Sequence, residues 1–175
     1  MPLSAKGAIL YRSRYGATRQ YAEWLAGKLK WPLLNAENTT GKDLSGYNTL
    51  IIGSSVYIGK LLLKDWLKKN GPDLANKTLL FFVVCGTPSD QKEECNIIAR
   101  TNFPHDLIGP DNIFFLPGRL SFRDLSLKDK IMLKIGARLQ KDPTKKRSML
   151  EDSDNVKKEH IYPILQQVAI PIETH

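Results

Sequence analysis

Gly7-Ala8-Ile9-Leu10-Tyr11-Arg12-Ser13-Arg14-Tyr15-Gly16-Ala17-Thr18 reads as a strand, a short turn and the opening of a helix. Gly7 to Tyr11 is an apolar run of strand length, and beyond the turn Ala17, Tyr21, Trp24, Leu25 and Leu29 recur at helical spacing. A loop that ends a strand and opens a helix leaves backbone N–H groups unpaired at the positive end of the helix dipole. Ser13 and Thr18 add hydroxyl donors, and Gly16 lets the backbone approach an anion closely. Ser13, Arg14, Tyr15, Gly16, Ala17 and Thr18 therefore make a candidate phosphate cradle. The segment has neither the glycine spacing and Lys-Ser/Thr ending of a nucleoside-triphosphate loop nor the G-x-G-x-x-G dinucleotide pattern. The plain alternative is an ordinary strand-to-helix turn with Thr18 as its cap, and these six residues do not separate the two.

Strand and helix signals alternate along the rest of the chain, which predicts a parallel sheet covered on both faces. Strands are expected at about 7–13, 32–35, 47–53, 77–85 and 112–116, and helices at about 16–30, 61–70, 90–101, 124–141 and 159–169. Leu79 to Val84 is uninterrupted by polar side chains, as in a strand buried on both faces. Asn70-Gly71-Pro72 reads as a helix stop, Pro163 falls in the first turn of the last helix, and 142–155 reads as a charged linker. A closed eight-fold barrel takes about 250 residues, more than the 175 present. The expected fold is therefore α/β: an open, doubly wound, five-stranded parallel sheet of order 2-1-3-4-5. It forms one domain over 1–175, with a basic helical insertion after strand 5. Such a sheet binds its ligand outside the carboxyl ends of its strands, at the switch point between strands 1 and 3.

The next two strand ends supply walls for a pocket there. After strand 3 come Ser54-Ser55-Val56-Tyr57-Ile58-Gly59, small residues around an aromatic ring able to stack on a planar group. After strand 4 come Cys85-Gly86-Thr87-Pro88-Ser89-Asp90, whose backbone groups can hydrogen-bond a ring's polar edge. Singly, Tyr57 reads first as a half-buried core aromatic, and 86–90 as an ordinary loop ending in a helix cap. Three such loops at successive strand ends point to a ligand with a phosphate and a planar ring. Flavin mononucleotide (FMN) is the expected cofactor.

Loop 13–18 resembles the Ser/Thr-x-x-Gly-x-Thr phosphate motif of the flavodoxin family, and the two later loops fall where that family holds its flavin ring. Tyr11 to Thr18, Ile52 to Gly59 and Pro117-Gly118-Arg119-Leu120-Ser121-Phe122 are similar to the branch containing menaquinone-dependent protoporphyrinogen oxidase. The resemblance extends over nearly the whole chain. It implies a flavodoxin-like fold and an FMN that passes reducing equivalents from a porphyrinogen to a membrane quinone. A soluble electron carrier meeting an acidic redox protein is the alternative. Arg14 and Tyr15 replace the small hydroxyl residues common in electron-transfer flavodoxins, and the acidic surface of those carriers is missing.

The formal net charge is +8, and segment 119–147 alone, with ten basic residues against Asp124, Asp129 and Asp142, carries +7. One surface is basic, not the whole protein. On a helical wheel Leu125, Ile131, Met132, Ile135 and Leu139 share a face, with Lys128 among them, beside a stripe of Lys130, Lys134, Arg138 and Lys141. Such a helix suits an anionic membrane surface or the propionates of a porphyrin; it reads equally as a sheet-covering helix with a solvated basic side. No nucleic-acid partner is expected, since interleaved aromatics and a nucleic-acid module are both lacking.

Cys85 and Cys95 show no metal-ligand spacing, and His105, His160 and His175 are scattered, so no metal is expected. The apolar run before Arg12 is too short for a signal peptide. The expected location is cytoplasmic, with attachment to the inner face of the cell membrane as the further option. No protein acid or base stands out.

Overall fold

The computed structural model describes residues 6–109 and 111–169. The first five residues of the segment read above as too short for a leader, and His175, lie outside them. In chain order the elements are β1 (Gly7–Arg12), α1 (Ala17–Leu29), β2 (Leu33–Asn35), β3 (Thr49–Tyr57), β4 (Lys60–Leu61), α2 (Lys64–Leu74) and β5 (Thr78–Cys85). There follow α3 (Lys92–Asn102), β6 (Ile113–Pro117), β7 (Arg119–Leu120), α4 (Leu127–Leu139), α5 (Pro143–Ser148), β8 (Ser153–Asp154) and α6 (Tyr162–Ala169). The main sheet runs β2-β1-β3-β5-β6 with every neighbouring pair parallel. This is the expected 2-1-3-4-5 order once β4, a two-residue antiparallel addition to the end of β3, is set aside.

Because successive strand residues face opposite ways, each central strand feeds two cores. Ala8, Leu10, Leu50, Ile52, Phe81 and Val83 join Leu67 and Leu74 of α2 and Ala99 of α3. Ile9, Ile51, Leu80, Phe82 and Val84 join Tyr21, Ala22 and Leu25 of α1 and Ile164 of α6. Both faces of the sheet are covered, which accounts for the unbroken apolar run of β5. Gly53 is required where β3 passes the Phe82 ring, since a Cβ there would stand 1.9 Å from Phe82 Cζ.

The structure departs from the sequence reading in three places. α2 passes through Asn70-Gly71-Pro72 and ends at Leu74. Leu74 is fully buried, and Pro72 stands in the last turn, where it removes one hydrogen bond without ending the helix. β3 continues past Gly53 to Tyr57, so four of the six residues of the expected loop are strand and only Ile58-Gly59 turns. The charged linker contains α5, capped by Asp142, whose Oδ1 accepts from Thr144 N and Lys145 N, and also β8.

Candidate functional site

At the end of β1 the chain makes the expected turn into α1. Gly16 is the residue before the helix, in the left-handed region at φ 88°, and its N–H donates to Ser13 Oγ at 3.1 Å. Nothing lies within 4 Å of where a Cβ of Gly16 would stand. Thr18 does not cap the helix. Its hydroxyl is buried and has no hydrogen-bond partner among the described residues. An unsatisfied buried hydroxyl costs free energy, and one placed in the first turn of a helix with open N–H groups fits a phosphate oxygen. The residues at this loop therefore suit the anionic end of FMN.

The second loop is a tight hairpin. Val56 pairs with Leu61 and Tyr57 with Lys60, and the two residues between, Ile58 at φ 49° and Gly59 at φ 70°, both lie in the left-handed region. That is the pattern of a type I′ turn, in which Asn, Asp or Gly normally stands first. Ile58 is a β-branched residue held there with its side chain exposed. Ser54 has structural partners: its hydroxyl donates to Ser55 O and accepts from Leu63 N, the residue before α2. Ser55 Oγ is buried without a partner among the described residues, like Thr18 Oγ1.

Gly86, Pro88, Ser89 and Asp90 of the third loop are exposed at the end of β5, and Thr87 is half-buried. Cys85 is buried, its Sγ donating to Thr87 O at 3.5 Å, and burial pushes its thiol pKa up. Among the described residues this loop makes no hydrogen bond to the other two. Cys95 Sγ donates to Pro88 O at 3.6 Å, which ties the loop to α3 instead.

The first two loops are joined by a residue that sequence reasoning did not single out. Asp129 of α4 is 4% exposed, and its Oδ2 accepts from Arg14 Nε at 3.2 Å, from Arg14 Nη2 at 3.0 Å and from the Tyr15 hydroxyl. Its Oδ1 accepts from the Tyr57 hydroxyl. The Arg14 guanidinium lies over the Tyr57 ring, 4.2 Å from its centre, a cation–π contact that fixes both side chains. Asp129 stands in the first turn of α4, where Ser126 Oγ accepts its N–H at 3.2 Å and the helix dipole favours a carboxylate. Ser-x-x-Asp is visible in the sequence as a capping pattern; what it reaches across 115 residues of chain is not.

Through this contact the insertion after β6 returns over the carboxyl edge of the sheet. β7 and β8 pair antiparallel at its two ends, Arg119 opposite Asp154 and Leu120 opposite Ser153. Arg119 Nε meets Asp154 Oδ2 at 2.8 Å, and Lys145 Nζ meets Glu94 Oε1 of α3 at 2.7 Å. α4 does not cover the sheet with its apolar stripe. Its buried residues are Asp129 and Ala137, while Ile131, Met132, Ile135 and Leu139 are exposed, as is Leu127. Of the apolar face expected from the helical wheel only Leu125, which precedes the helix, is buried.

No group of three or more His, Cys, Asp or Glu side chains able to hold a metal occurs among the described residues. No helix among them is long and apolar enough to cross a membrane.

A flavodoxin-domain family model matches residues 8–147. The chain belongs to that family, with which its sheet order agrees, and is an FMN-binding flavoprotein of the oxidoreductase class. Among curated proteins it is similar to the protoporphyrinogen IX dehydrogenase [quinone] of Escherichia coli K12, at 24% identity over 174 residues, covering 94% of this chain and 91% of the relative. Oxidised flavodoxin 2 from Bacillus cereus aligns with 65% of this chain and 84% of its own, at 21% identity and a TM-score of 0.48. A flavodoxin from the domain Archaea aligns with 67% and 87%, at 14% identity and a TM-score of 0.45.

Proposed function

We propose that this flavoprotein oxidises a porphyrinogen and delivers the reducing equivalents to a quinone at an anionic membrane surface. The observation that carries the reading is α4. A helix anchored by Asp129 beside the FMN loops turns Leu127, Ile131, Ile135 and Leu139 outward, with Lys128, Lys130, Lys134 and Arg138 on the same helix. Exposed apolar side chains beside lysines suit a lipid interface, where the chains enter the boundary and the ammonium groups meet head groups. Quinones dissolve in that phase. The same cations suit the propionates of a tetrapyrrole. Similarity to the Escherichia coli dehydrogenase along nearly the full length of both chains supports this substrate pair.

In this reading Ser13, Arg14, Tyr15, Gly16, Ala17 and Thr18 hold the FMN phosphate. The stretch from Ser55 to Gly59 and the stretch from Cys85 to Asp90 flank the ring, and Ser54 braces the second loop through Leu63 N. FMN, when bound, supplies the two-electron chemistry. The chain's own contribution is to bind and orient: Thr18 and the open N–H groups meet the anion, and Tyr57 offers a stacking surface.

The test is oxidation of protoporphyrinogen by the purified, FMN-loaded protein with a menaquinone analogue and anionic vesicles. Quinone-dependent turnover that is lost when the exposed Leu127, Ile131, Ile135 and Leu139 are replaced together by Ser, with Asp129 kept and FMN remaining bound, supports the reading. Rapid electron passage to an acidic redox protein, with none to the quinone, would instead identify a soluble carrier.

A further inference from the structure

A guanidinium has five N–H donors in a rigid fork, and Asp129 takes two of those on Arg14. The other three meet no acceptor among the described residues, although Arg14 stands in the middle of the loop that carries the orphaned Thr18 hydroxyl and the open Gly16 backbone. Both sides of this arrangement are fixed. Asp129 is buried and satisfied by Arg14, Tyr15 and Tyr57 together, and Arg14 is pinned a second time by the Tyr57 ring. A long arginine loses much rotamer freedom when it binds an anion, and a partner that has already ordered it removes most of that cost.

We propose that Asp129 is a positioning residue for the cofactor. Its carboxylate grips one edge of the Arg14 guanidinium and leaves the remaining donors to the FMN phosphate, so that α4 belongs to the phosphate site although it lies more than a hundred residues from the phosphate loop. The inference rests on the reading of 13–18 as the phosphate loop. Its consequence is reciprocal. If docking of α4 orders Arg14 for the phosphate, then phosphate binding must hold α4 in place by the same factor. Riboflavin, which has the ring and no phosphate, exerts no such hold.

The experiment uses the full-length protein with FMN and with riboflavin. It reads affinity by quenching of flavin fluorescence and the first turns of α4 by amide hydrogen exchange. Asp129→Asn should weaken FMN about tenfold and leave riboflavin within about twofold, the loss of one well-ordered charge-assisted hydrogen bond. Combining it with Arg14→Gln should weaken FMN no further than Arg14→Gln alone. FMN, but not riboflavin, should slow exchange at 127–133, and Asp129→Asn should abolish the difference. Should Asp129→Asn fail to fold, Arg14→Lys, which keeps the charge and loses the fork, should give the same split between the two flavins.

Equal losses for both flavins would mean that Asp129 only supports the fold and would overturn the proposal. So would additive losses, or FMN bound as tightly or more tightly by Asp129→Asn, which would make the carboxylate a competitor for Arg14. The phosphate loop has its own control. Thr18→Val that does not separate FMN from riboflavin refutes the loop reading itself; Thr18→Val that separates them beside an Asp129→Asn that does not refutes only this inference.

Discussion

Replacing Thr18 by Val should move two observables in opposite directions. The side chain is fully buried in the first turn of α1, and its hydroxyl lacks a partner among the described residues. A methyl group in its place keeps the shape and removes a desolvated polar atom, which protein mutation data value at about 1–3 kcal/mol. For a domain of this size each kcal/mol raises Tm by roughly 2–4 °C, so the apoprotein should melt several degrees higher. The FMN complex loses a charge-assisted hydrogen bond of about 1.5–3 kcal/mol, which is roughly a 10- to 100-fold rise in Kd. Riboflavin should bind as before. Calorimetry of the apoprotein and fluorescence titration with both flavins measure all three quantities. A lower Tm for Thr18→Val, or an equal loss for FMN and riboflavin, would refute the argument that the hydroxyl waits for a phosphate.

Ile58→Asn relieves a β-branched residue at φ 49° in a two-residue hairpin turn, and should stabilise the apoprotein by about 1 kcal/mol; an unchanged or lower Tm would show that the turn is not strained. Tyr21 is buried, donates to Pro117 O at 2.8 Å and meets His160 Nδ1 at 3.0 Å, and burial pushes its phenol up to about 12. The folded value lies above the unfolded value of about 10, so this stability is whole below pH 10 and declines as pH rises from 10 toward 12. Tyr21→Phe should therefore lose less stability than wild type between pH 9 and pH 11.5 in urea titrations. Replacing Lys130, Lys134 and Arg138 together by Gln should weaken binding to anionic vesicles about 100-fold at low salt, at about 1 kcal/mol per cation. Native protein that sediments without such vesicles would remove the membrane from the picture.

Strand order was legible because every central strand is apolar and every connection long enough to cross over. That logic sees long elements and misses β4, whose two residues exist only because a tight turn folds the end of β3 back on itself. The phosphate loop was legible for a local reason, the adjacency of a strand end, a glycine and two hydroxyl residues. Asp129 was not, since its role depends on where a distant helix lands, and within its own segment it is one of three acidic residues among ten basic ones. The helical wheel of α4 grouped its apolar and its basic residues, but neither of those faces is the one that turns inward. The inward side carries Gly136 and Ala137, with Met149 Cε 3.0 Å from where a Cβ of Gly136 would stand, and small residues permit that close approach. Apolar residues therefore face out, against the usual direction, for want of a sheet beneath them.

The β7–β8 ribbon has a consequence for how such a protein can change. Because Leu120 and Ser153 are neighbours across it, everything between them leaves and re-enters the body at one point. The entropy of closing that loop grows only slowly with its length, by about 0.6 kcal/mol per doubling. Segments of different size and surface can thus be exchanged at this doorway as cassettes, with β1, β3 and β5 undisturbed. Partner choice and cofactor binding would then evolve on separate schedules, under one condition: a transplanted cassette must bring a carboxylate to meet Arg14.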